Sequence, residues 1–203
     1  MRNDTIMKFK DVADFCRGPF GSSVKKSVCV EKGEDTYKLY AQGNVIKNDF
    51  NRGTYYLTKE QFKILHRFEL ATDDILITCA GTLGKIAIVP GNIEKGIINS
   101  VLMRIRVNKQ IIIPEYFYYY FQSPQIQLLI FGKSEGATIK NLFATSQLKE
   151  FEIPVPSIEI QKKIVSKIKK IELLDKELKE YVIDVEKLKK SLMQKAFRGE
   201  LVI

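Results

Sequence analysis

Few residues in this chain of 203 could do covalent chemistry. Its one histidine, His66, stands in Gln61-Phe62-Lys63-Ile64-Leu65-His66-Arg67-Phe68, a segment with helical patterning. A single imidazole excludes two-histidine metal sites, and its surroundings offer no nucleophile to activate. Cys16, Cys29 and Cys79 are odd in number and lack C-x-x-C spacing, so they read as reduced thiols, not as a disulfide framework or a zinc site. Ala80-Gly81-Thr82-Leu83-Gly84-Lys85 approaches a phosphate loop and fails it twice. Cys79 holds the place of the first glycine, and Ile86 holds that of the magnesium-binding hydroxyl. A metal-dependent nuclease needs an acid-x-lysine on a strand beside a second acid. Here Glu177-Leu178-Lys179 falls inside a heptad pattern instead. No G-x-G-x-x-G is present either, so the residues favour binding over catalysis.

The charge says what kind of partner. Thirty-three Lys and Arg against 24 Asp and Glu leave a net +9, which suits a polyanion. The cations gather with glycines, hydroxyls and amides in three loops. The first, Arg17-Gly18-Pro19-Phe20-Gly21-Ser22-Ser23-Val24-Lys25-Lys26, offers Arg17, Ser22, Ser23, Lys25 and Lys26 to phosphates. Its glycines let backbone N–H groups come close. The second, Tyr40 to Asn48, carries Gln42, Asn44, Lys47 and Asn48, with Arg52, Tyr55 and Tyr56 following. Side-chain amides donate and accept together, which fits the adenine edge. The third, Gly132 to Asn141, supplies Lys133, Lys140 and Asn141, and the glycine turn before Ile86 supplies Lys85.

Two kinds of segment must position these loops. Residues 1–153 mix short strands, turns and helices. Ile75-Leu76-Ile77-Thr78-Cys79 and Ile86-Ala87-Ile88-Val89 predict two strands joined by a tight turn at Gly81 and Gly84. Val101 to Val107 predicts another strand, with Arg104 and Arg106 on one face and Met103, Ile105 and Val107 on the other. Thr58-x-x-Gln61 predicts a capped helix to Phe68, and Pro114 opens a further pair of helices to Phe131. The class is α/β (α+β), with a mixed sheet in a globular domain.

Pro154-Val155-Pro156 is expected to end that domain, so residues 154–203 form the second part. From Ser157 to about Arg198 the pattern is one uninterrupted helix. Ile164, Ile171, Leu178, Val185 and Leu192 fill the a positions, and Leu174, Tyr181 and Leu188 join them at d, between Lys167 and Lys195. Ile168 and Val182 widen the stripe at e. About 40 residues at 1.5 Å each make a helix about 60 Å long, too long for one small domain to cover. A coiled-coil partner helix is expected.

Several of these segments together resemble the DNA-specificity subunit of type I restriction-modification systems. The resemblance rests on Gly18-Pro19-Phe20-Gly21-Ser22, on Asp74-Ile75-Leu76-Ile77-Thr78 with Gly81-Thr82-Leu83-Gly84-Lys85, and on Gly136-Ala137-Thr138. It continues through Leu148-Lys149-Glu150-Phe151-Glu152-Ile153-Pro154-Val155-Pro156, Glu159-Ile160-Gln161 and the closing Leu192 to Leu201. Ile160 stands where the family usually has a second glutamate. The resemblance implies a target-recognition domain that binds double-stranded DNA, followed by a conserved-region helix for dimerisation and subunit assembly. It implies no catalysis and no cofactor in this chain. S-adenosylmethionine, ATP and magnesium belong to partner subunits, an adenine methyltransferase and a restriction subunit.

The family's usual subunit has two recognition domains and two long helices, whereas this sequence has one of each and resembles a half-subunit. Two copies pairing through the stripe as a homodimer would read two half-sites. Two other readings are an assembly adaptor that no longer binds DNA and a free-standing nuclease. With no apolar run long enough to span a bilayer and no secretory pattern, the expected location is the cytoplasm, off the membrane.

Overall fold

The computed structural model describes residues 5–21, 24, 26–131 and 145–200. They fall into two compact units, Met1–Gln161 and Lys162–Ile203. The first is built on three small sheets among the described residues. In the largest, β2 (Ala13–Arg17), β8 (Leu102–Val107), β5 (Ile75–Thr78) and β6 (Ile86–Ile88) lie side by side, all antiparallel. Beside it, β4 (Tyr56–Leu57), β3 (Tyr37–Tyr40) and β7 (Gly96–Ile98) form a mixed sheet, with β3 antiparallel to β4 and parallel to β7. A third pairs β1 (Thr5–Lys8) with β9 (Glu152–Val155).

The apolar runs become the buried strands. Ile75, Leu76, Ile77, Ile97, Ile98, Leu102 and Ile105 are fully buried, as β-branched residues on a two-sided sheet should be. Short helices close the core: α1 (Phe9–Val12), α2 (Gln42–Ile46), α3 (Lys59–Leu65), α4 (Pro114–Phe121), α5 (Pro124–Phe131) and α6 (Thr145–Lys149). Thr58 caps α3 as expected. Its hydroxyl accepts from Gln61 N at 3.3 Å, and Gln61 Oε1 accepts from Thr58 N at 2.9 Å. The helix tightens to a 3-10 turn over His66–Phe68, and His66 bonds only locally, to Lys63 O. An aromatic cluster of Phe9, Phe15, Phe117 and Phe151 packs α1 and α4 against β2.

One expectation changes. Pro154 does not end the first unit, because it lies within β9, opposite Ile6. A two-stranded ribbon has only one ladder, so proline's missing donor can face away from it. On β8, Arg104 is tied to two backbone carbonyls. Its Nη1 donates to the carbonyls of Arg67 at 3.0 Å and Glu69 at 2.7 Å, and the residue is buried.

The last helix, α7 (Ile158–Phe197), runs 40 residues without a break. Gln161 in its first turn is wholly buried. It donates to Ile111 O and Pro156 O and accepts from Ile113 N, so its amide is fully used. Past that turn, Ile171, Leu174, Leu178, Tyr181, Val185, Leu188 and Leu192 are exposed along the second unit.

Candidate nucleic-acid interface

The segment Asn99 to Leu102, between β7 and β8, ties the candidate loops together. Its backbone bonds the ends of three strands. Asn99 N donates to Tyr40 O at the end of β3 (2.9 Å), Cys79 N beyond β5 donates to Val101 O (2.7 Å), and Gly18 N beyond β2 donates to Leu102 O (2.9 Å). Asn99 braces the segment itself, its Oδ1 accepting from Val101 N at 3.3 Å. The glycine-rich loop after β2, the amide-bearing helix after β3 and the turn after β5 therefore leave the sheets from one end.

Each loop is held by a local device. Gly18 is required by close approach: a Cβ there would lie 1.9 Å from Asn99 O. Gly21 sits beside Ser100, whose Oγ is 3.6 Å from the place a Cβ would take. The turn from Cys79 to Lys85 is pinned by buried Thr78. Its hydroxyl donates to Thr82 O and accepts from Lys85 N at 3.0 Å, while its backbone bonds Lys85 O and Gly84 N. Gly81 and Gly84 turn the chain at φ of 71° and 70°, values that suit glycine. Burial pushes the Cys79 thiol up to about 11, against the opposing charge of Arg17 nearby. That thiol stays protonated and chemically quiet.

Gln42 joins the turn. A Cβ on Gly81 would meet Gln42 Oε1 at 3.1 Å, so the amide packs against the turn at that glycine. Arg52 folds back beside Gly43, its Nε 3.6 Å from that glycine's Cβ place. Arg17, Gln42, Arg52 and Lys85 thus lie in or beside the loops that leave the sheets at this end, and Arg52 and Lys85 are exposed. Such a surface presents cations for phosphates and one oriented amide for a base edge.

The other expected residues divide. Asn44 is corrected from base reader to brace. It is 3% exposed, its Oδ1 accepts from Ala41 N at 2.8 Å, and its Nδ2 donates to Asp49 O and Arg52 O. No donor is left for DNA. Lys47 ends α2, and Asn48 follows at φ 48°, lining a hollow with Asp49, Phe50 and Pro90 at the far end of that helix. Tyr55 stands on the β4 side, in a separate hollow with Cys29, Lys32 and Tyr56. Ser22, Ser23, Lys25, Lys133, Lys140 and Asn141 lie outside the described residues, as does the side chain of Lys26.

Two contributors were missed from the sequence. Phe20 is 83% exposed in the glycine loop, where an aromatic edge can meet a thymine methyl or wedge a base step. Asn99-Ser100, a polar pair between two apolar runs, carried a turn signal that could have revealed the bracing segment. Among the described residues, no cluster of His, Cys, Asp or Glu could hold a metal, and no helix is long and apolar enough to cross a membrane.

Comparison with known proteins gives these features a lineage. The family model described as the type I restriction modification DNA specificity domain matches residues 3–184. The type I restriction enzyme EcoBI specificity subunit of Escherichia coli is 32% identical over 139 residues, which cover 66% of this chain and 29% of that one. A solved chain from a type I R-M system superposes with a TM-score of 0.69 at 19% identity, covering 99% of this chain and 47% of its own. The HsdS subunit from Thermoanaerobacter tengcongensis gives 0.66 at 18% identity, covering 99% and 46%. The chain thus spans under a third of that curated relative and about half of those solved ones. The mixed α/β fold with its long terminal helix is that of these subunits, and the role is one of specificity, not catalysis. This chain belongs to the family of type I restriction-modification DNA specificity domains.

Proposed function

We propose that the first unit reads one short DNA half-site and directs an adenine methyltransferase, with its restriction subunit, to a bipartite target. The observation that carries this reading is the convergence of three loop starts on the Asn99–Leu102 segment, with Arg17, Gln42, Arg52 and Lys85 in or beside those loops. The cations hold the phosphate backbone and Gln42 reads a base edge. S-adenosylmethionine, ATP and magnesium serve the partner subunits, and the complex works in the cytoplasm, where the DNA is. The exposed stripe of α7 is covered by a second copy of the chain, so that two recognition units address two identical half-sites.

The test begins with adenine methylation across the genome of the source cell, with and without this gene. Loss of methylation at one interrupted palindrome is the expected result, and an unchanged pattern overturns the reading. Binding titrations then assign the residues. Gln42→Ala should cost about 1–3 kcal/mol on the matched site and far less on a mismatched one. Lys85→Ala should weaken both alike and reduce the salt slope by about one. Equal loss on both sites for Gln42→Ala removes it as the reader.

A further inference from the structure

The exposed face of α7 carries a charge pattern that selects one register for the second copy. This inference rests on the second-copy reading above and adds which residues meet. Two antiparallel helices pack a against d′, while the g positions face g′ and the e positions face e′, offset by about two residues or about 3 Å along the axis. Successive registers of the stripe differ by one heptad and move the two-fold axis by half of one.

The flanks are uneven. The g positions read Lys163, Lys170, Glu177, Asp184, Ser191 and Arg198, and the e positions read Ile168, Asp175, Val182 and Lys189. Full overlap of the stripes sets Glu177 against Asp184′ twice and Lys163 against Arg198′ twice. It also leaves apolar Ile168 facing Lys189′ and Val182 facing Asp175′. A shift of two heptads makes the g pairs complementary, but it leaves Val185, Leu188 and Leu192 without layers. A shift of one heptad resolves both conflicts. It packs Ile164 on Leu188′, Lys167 on Val185′, Ile171 on Tyr181′ and Leu174 on Leu178′, and Lys167 has an apolar partner in the other two registers as well. Ile168 then meets Val182′ on the e flank and Lys170 meets Asp184′ on the g flank, each twice. Only Glu177 and Asp175 meet their own copies, close to the axis. Lys170 and Asp184 are exposed, and Asp184 is held only by the exposed intrahelical pair with Lys187 at 3.0 Å, which a better partner can replace.

We infer that two copies of α7 pair antiparallel with the two-fold axis at Lys176, and that Lys170–Asp184′ ion pairs with Ile168–Val182′ contacts fix this register. The stagger leaves the last two and a half turns of each helix, Lys189 to Phe197, beyond the shared stripe.

Charge exchange on the full chain tests it, read as the dimer dissociation constant by sedimentation at low salt. Lys170→Glu should weaken the dimer about tenfold, because each of two attractive pairs becomes repulsive. Asp184→Lys should do the same, and the double variant should return to within about twofold of the parent. If Asp184→Lys tightens the dimer, Asp184 faces Glu177′ and the fully overlapped register holds, which overturns the inference while the second-copy reading stands. If the two single effects simply add in the double variant, Lys170 and Asp184 do not meet and the inference also falls. A folded parent chain that stays monomeric overturns the second-copy reading, and the register with it.

Discussion

Single side chains at the interface have separable tasks, and substitutions should separate them. Gly18→Ala drives a Cβ to 1.9 Å from Asn99 O, with backbone on both sides and no flexible tip to yield. Urea unfolding should show a loss of about 1–3 kcal/mol, as overpacking of a tight site does, with matched-site affinity falling alongside. Asn44→Ala strands Ala41 N and two carbonyls, and should cost about 1–3 kcal/mol of stability. Its DNA affinity should fall on matched and mismatched sites together, unlike that of Gln42→Ala. Phe20→Ala touches nothing in the core and should leave stability unchanged, yet weaken binding without altering the salt slope. A lower melting temperature for Phe20→Ala would return it to the fold. The glutamine and the asparagine are two residues apart and chemically alike, so the sequence offered both as readers. What divides them is burial, set by where Asp49 and Arg52 come to rest.

Elements were legible where their cause was local. The capped helix after Thr58, the paired strands around Gly81 and Gly84, and the heptad helix all rest on spacing within a few residues, and all are present. Pro154 was misread, and the burial of Arg104 was not foreseen, because their surroundings come from far along the chain. Arg104 reaches carbonyls 35 and 37 residues away, and Pro154 pairs with Ile6. Convergence of the loops was illegible for the same reason: the sequence shows separate polar segments, and the bonds to Asn99–Leu102 bring the first two together with the Gly81–Gly84 turn. One such long-range joint has a pH signature. Glu150, after α6, takes Lys10 at 2.7 Å and Lys8 at 2.6 Å, fastening α1 to the approach to β9. The Lys10 bond, then the Lys8 bond, hold its carboxyl at about 2 against an ordinary 4.5. A lowered folded value means the tether stabilises above about pH 4.5 and is lost as the pH falls toward about 2. Glu150→Gln should therefore unfold more easily than the parent at neutral pH, and the gap should close across that acid range. A gap that stays constant with pH would mean the two lysines are held by something else.

At the scale of the whole molecule, the proposed function joins two weak readings. One unit with a handful of phosphate contacts and one base-reading amide would be a modest binder with strongly salt-dependent affinity. Joining two such units turns the second contact into an intramolecular one, which can raise overall affinity by about 10²–10⁴ without any new DNA contact. The exposed stripe of α7 is where that joining would occur, and Leu178 lies near the middle of it. In the proposed dimer, Leu178→Lys would place a charge against Leu174′ in both central layers, at a cost to pairing. Light scattering should then report half the parent mass, while circular dichroism retains the first unit's signal. On a duplex carrying both half-sites the variant should bind about 10²–10⁴-fold more weakly. On a duplex carrying one half-site, parent and variant should bind alike, because the recognition loops are untouched. An unchanged mass would show that the stripe is not the dimer interface. A halved mass with unchanged affinity for the double site would show that pairing and reading are independent, and that the long helix serves another subunit's assembly instead of the spacing of two half-sites.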